Sequence, residues 1–145
     1  MLKSEPVTLD GIEFTTTQFP AMMGFEMLGR LVKVLGPALD VLTGADPETE
    51  IEDLAPVLAA TLKDMKPSDL SALVIDLLRS TTAKISDPTG GRLIDLGSKD
   101  AINLVFSGRL MIMFKVLVHA IKVNYWDFFA GSVPSAPPAP KPAAP

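Results

Sequence analysis

His119 is the one side chain of this 145-residue chain with an ordinary pKa near neutrality. It stands four residues after Lys115 and three before Lys122, so all three share a side of any helix there. No carboxylate or nucleophile lies at a spacing that would complete a catalytic group, and His119 reads as an exposed residue on the polar side of an amphipathic helix. Asp46, Glu48, Glu50 and Glu52 alternate like the first ligands of a calcium loop. The loop's turn glycine and its closing bidentate glutamate are both missing, so these acids read as helix-leading charges. "GGRLIDLG" has neither a Gly-x-Gly-x-x-Gly spacing nor a Gly-Lys-Ser/Thr ending, and no Gly-x-Ser-x-Gly occurs. There is no cysteine to serve as nucleophile or thiolate ligand. The expectation is a protein that is not an enzyme, with no catalytic, cofactor-binding or metal-binding residues.

What remains is the chemistry of apolar surfaces. The octet "NYWDFFAG", Asn124 to Gly131, holds Tyr125, Trp126, Phe128 and Phe129, after which the chain turns into "SVPSAPPAPKPAAP". On a continuing helix Trp126 shares the side of His119 and Lys122, and Phe128 that of Leu117 and Ile121. Tyr125 and Phe129 lie one turn apart on a third side. One contact cannot bury all four, so Phe128 is expected to close the core. Trp126 and one of Tyr125 or Phe129 are left as candidate anchors. Met22, Met23 and Met27 crowd the first helix. Methionine fills cores and equally suits a groove for varied apolar partners.

These residues need elements to hold them. The apolar share is 48% and lies mainly in aliphatic side chains, which favours helices around one core. Val7, Leu9, Ile12 and Phe14 flank Asp10-Gly11, a favoured two-residue turn, and predict a hairpin. Phe19-Pro20 opens a helix in which Met22, Phe25, Leu28, Val32 and Leu35 form the apolar stripe, widened by Met23, Met27 and Leu31. Glu26 and Arg30 form a favourable i,i+4 pair on its wet side. Gly36-Pro37 ends it, and a short helix follows from Pro37 to Leu42.

An acidic connector leads to a helix from about Leu54 to Asp64, and Ser68 is the expected N-cap of the next. Turn formers at Asp87 to Gly91 leave room for a second short hairpin near residues 84–96. Ser98 caps a helix ending near Phe106, and the last helix runs from Arg109 to about Phe129. The expected fold is mostly α, with about five to six helices and a short N-terminal hairpin. Residues 1–131 form one helical domain and residues 132–145 a disordered Pro/Ala-rich tail.

Charge and hydropathy narrow the partners. Nine acidic residues lie between Asp40 and Arg79 against three basic ones, whereas basic residues dominate from Arg92 to Lys122. The acidic half argues against nucleic acid. The asymmetry suits a solvated surface or a homo-oligomer. The apolar stretch Ala101 to Ile121 would bury Arg109, Lys115 and His119 in lipid, so no membrane partner is expected. The N-terminus shows no signal-peptide pattern.

"LDGIEFTT", then "FPAM", then "LGPAL", then "VNYWDFFAG" after a long apolar helix resembles, over about Val7 to Gly131, the tail assembly chaperones of tailed bacteriophages. The resemblance implies a small, mostly helical, non-enzymatic protein of the host cytoplasm, absent from the mature virion. It would coat the tape measure protein, the helical ruler of the tail tube, and keep it soluble. A frameshifted extension recruits tail tube protein in many such phages. Helix-in-groove docking fits that partner, with Met23, Met27, Tyr125, Trp126 and Phe129 along a groove between the first and last helices. Two other readings are a structural tail or baseplate component of the virion and a membrane-surface helical protein. The second would carry more lysine and arginine on its polar face.

Overall fold

Strands β1 (Ser4–Leu9) and β2 (Ile12–Thr17) pair antiparallel, with Val7 opposite Phe14 and Leu9 opposite Ile12. The turn between them needs positive φ at both corners, 52° at Asp10 and 77° at Gly11, the geometry that Asp-Gly tolerates best. The computed structural model describes residues 2–36, 38, 51–86 and 90–132, the last seven as helix backbone. The tail from residue 133 and, apart from Ala38, the expected short helix lie outside the described residues. So do Asp46, Glu48 and Glu50.

The helices are α1 (Ala21–Leu35), α2 (Ile51–Leu62), α3 (Pro67–Leu77), α4 (Lys99–Phe106) and α5 (Leu110–Ser132). A 3-10 turn (Leu78–Ser80) connects α3 to strand β3 (Thr81–Ile85), which pairs with β4 (Arg92–Asp95). The hairpin near residues 84–96 does form, and it does more than decorate the helices. β3 also pairs antiparallel with β2, giving one four-stranded sheet in the order β1-β2-β3-β4.

The fold is therefore a small α+β domain, which corrects the expectation of a mostly helical one. Each hairpin writes a local signal, a turn between short apolar runs. The pairing that merges them joins Thr16 to Thr81 and Phe14 to Ala83, and no local pattern carries it. The two threonine hydroxyls are fully buried and bond to each other at 2.8 Å, which satisfies both in the middle of the sheet.

Helix α5 is the pillar. Val116, Leu117, Val118, Ala120 and Ile121 are completely buried, and His119 nearly so, so six consecutive positions face protein on every side. A helix apolar all round belongs inside. It packs on β1 and β2 along one flank and on α2 and α3 along others. Phe14 of β2 and Phe106 of α4 stack with ring centroids 5.6 Å apart, closing the core between sheet and helices.

Several ends differ from expectation. α2 starts at Ile51 and carries Pro56 inside it, at the loss of one backbone bond. Burial of Leu54, Ala55, Leu58 and Leu62 holds that helix regardless. α3 begins with Pro67 at its first position and Lys66 as N-cap, without a capping side chain, in place of Ser68. Ser98 caps α4 as expected, its hydroxyl accepting from the Ala101 N–H at 3.2 Å.

Candidate functional site

The described residues hold no group of His, Asp and Glu able to bind a metal ion. A shallow depression of about 340 Å³ is lined by Arg79, Asp95, Gly97 and Ser98. Its acid is engaged in the turn, Asp95 Oδ1 accepting from Gly97 N–H at 2.9 Å. Among the described residues no helix is long and apolar enough to cross a membrane.

The last helix explains part of the aromatic octet. Asn124 and Tyr125 fasten the start of α1 to α5. The Asn124 side chain accepts from Phe19 N–H at 2.8 Å and donates to the Ala120 carbonyl at 2.9 Å. Gln18 donates to the Val123 carbonyl at 3.1 Å, and the Tyr125 hydroxyl donates to the Gly24 carbonyl at 2.9 Å. Burial raises the pKa of that phenol well above the usual range.

His119 belongs to the same interior seam. It is buried, not on a polar face, and its Nε2 lies 3.0 Å from the Glu5 carbonyl. A carbonyl only accepts, so Nε2 carries the proton and donates. Desolvation lowers the His119 pKa; Lys122 adds to that, while the Glu5 carbonyl and carboxylate oppose it.

With α1 fastened in this way, its two faces are unequal. Met27, Leu31 and Leu35 point inward, and Met27 is only 4% exposed. On the opposite side Met22 is 69%, Phe25 70% and Val32 52% exposed. These positions follow at i, i+3 and i+10, and Gly29 fills i+7. A β-carbon added at Gly29 would meet nothing within 4 Å. The result is an uncovered apolar strip more than two turns long with a notch in the middle. Glu26 and Lys33 are its exposed charged neighbours.

Arg30 does not complete the expected pair with Glu26. It reaches Asp76 of α3, which also binds Arg79 at 2.8 Å. That bridge anchors the flank of α1 to α3. A second exposed apolar group, Leu104, Leu110 and Met111, lies at the α4–α5 corner.

Of the residues expected to contact a partner, Met27 and Tyr125 lie in the core, each 4% exposed, and Met23 is half-buried. Trp126 and Phe129 belong to the α5 backbone, with side chains outside the described part. Periodicity puts Met22, Phe25 and Val32 in the core stripe, and the structure exposes all three. α1 is apolar on two sides, and periodicity alone does not say which side meets the protein. A signal was present in Gly29, since the strip that contains it has nothing to bury at its centre.

The chain matches the family model "Phage tail assembly chaperone protein, TAC" over residues 10–135. Similar proteins include two uncharacterized proteins of Xylella fastidiosa (strain Temecula1 / ATCC 700964). They are 32% and 31% identical over 126 residues, which cover 86% of this chain and 84% of each relative. No solved structure matches. The chain belongs to the phage tail assembly chaperone family.

Proposed function

We propose that the chain binds the tape measure protein and keeps it soluble while the tail tube assembles. The observation that carries this reading is the exposed strip Met22, Phe25, Gly29 and Val32 on α1. A ruler made of long amphipathic helices presents continuous apolar stripes that aggregate when bare. A second helix laid along α1 would match those stripes at i, i+3 and i+7, with its closest approach over Gly29. Binding of this kind needs no catalysis, cofactor or metal. It is also modest per copy, as a chaperone that must later give way to tube subunits requires. The reading places the protein in the host cytoplasm and outside the finished virion.

Co-expression with the tape measure protein of the same phage tests it. Soluble ruler carrying many copies of the chain is the expected result. Phe25→Glu should abolish the effect without unfolding the protein, because that side chain is already in water. Truncating a central anchor of this type costs about 2 kcal/mol of binding. A ruler that stays insoluble, together with the chain in purified particles, would replace this reading with that of a virion component.

A further inference from the structure

The strip on α1 has a symmetry that client binding does not require. Its exposed positions pair off around Gly29, with midpoints half a residue to either side of it: Phe25 with Val32, and Glu26 with Lys33. Among the described residues neither Glu26 nor Lys33 forms an ion pair within the chain. They are of opposite sign and two turns apart on the same edge of the strip.

We propose that a second copy of the chain covers this strip when no ruler is present, the two α1 helices crossing antiparallel over Gly29. This rests on the reading of the strip as the client face, since it makes self-association the resting state that the client displaces. In a two-fold arrangement about Gly29, Phe25 of one copy meets Val32 of the other, and each Glu26 lies beside the second copy's Lys33. The Glu26–Lys33 pair is attractive and occurs twice by symmetry. In a parallel two-fold pairing the edge that carries Glu26 and Lys33 lies on opposite sides of the contact in the two copies, so only the antiparallel pairing brings these charges together. The bare notch at Gly29 lets the backbones approach where they cross.

One helix face of 15 residues falls below the roughly 1,200 Å² of a standard interface, so the dimer is weak and exchangeable. A tight dimer would keep the ruler out. A weak one holds the apolar strip out of water until a long helix offers many sites at once.

Sedimentation velocity of the whole chain alone, over a range of concentrations, tests the proposal. The expected result is a monomer–dimer equilibrium. Glu26→Lys and Lys33→Glu should each weaken it roughly tenfold, since two attractive pairs become repulsive, and the double reversal should restore it. The chain has no cysteine, so Gly29→Cys provides a clean geometric probe. Oxidation should give a covalent dimer with Gly29→Cys and none with Ala21→Cys, which an antiparallel crossing holds far from its equivalent.

A chain that remains monomeric, or a dimer indifferent to both single reversals, overturns the inference. Solubilisation of the ruler, still abolished by Phe25→Glu, would then leave the chaperone reading intact. A dimer that obeys the charge swap but never yields to ruler keeps the pairing and removes its regulatory meaning.

Discussion

At the scale of single residues, His119 gives stability a pH-dependent component. Its pKa in the folded protein lies below the ordinary 6.5, chiefly because burial penalises the charged ring. In the unfolded chain it titrates at its ordinary value, so between the two pKa values the unfolded state binds more protons. The histidine's contribution to stability is therefore constant above about pH 6.5 and is lost as the pH drops below it. Denaturant midpoints from pH 8 to pH 5 should show that loss, and His119→Gln, which keeps a side-chain N–H, should remove its histidine component. Asn124 makes a different kind of contribution. Asn124→Ala strands the Phe19 N–H at the start of α1 and should cost about 1–3 kcal/mol, read as a lower unfolding midpoint. Tyr125→Phe removes one bond to the Gly24 carbonyl and should cost about 1 kcal/mol.

At the scale of elements, local chemistry was legible and lateral contacts were not. The Asp10-Gly11 turn, the Ser98 cap and the stop at Gly36 each follow from a residue and its immediate neighbours. Gly36 takes φ 53° and returns its N–H to the Val32 carbonyl, as a helix-ending glycine does. The orientation of α1 depends on what it packs against, and there the sequence offered two apolar faces. Asn124, Gln18 and the Arg30–Asp76 bridge choose between them, and all three act across long separations in the chain. The stripe read from the periodicity spans both faces, since Met27, Leu31 and Leu35 are buried while Met22, Phe25 and Val32 are exposed.

The same choice predicts unequal effects of similar substitutions on one helix. Met27→Ala should lower stability by about 2–5 kcal/mol through an unfilled space in the core. Met22→Ala should change stability by less than about 0.5 kcal/mol and appear in ruler binding instead. Unfolding curves of the two variants, with co-purification of ruler for Met22→Ala, separate the faces directly.

At the scale of the whole molecule, the sheet ties the chain's first residues to its middle. β2 lies between β1 and β3, so it is an interior strand although it occurs at residues 12–17. Its Phe14 stacks on Phe106, its Thr16 satisfies the buried Thr81, and β1 supplies the carbonyl that holds His119. A helical domain with an ornamental hairpin would survive the loss of that hairpin. Here a chain starting at residue 18 loses the partners of β3, Phe106 and His119 together, leaving a two-stranded β3–β4 remnant that is marginal alone. It should lose its cooperative thermal transition and expose apolar surface, measured by circular dichroism and dye binding. A sharp transition in that shortened chain would mean that the helices alone make the core, and that the pairing of β2 with β3 contributes little to it. The proposed role of α1 bears on the same point, because a helix that is to present its strip to a client needs a scaffold that does not give way with it. The sheet and α5 supply that scaffold, with Asn124 and Tyr125 of α5 holding the start of α1.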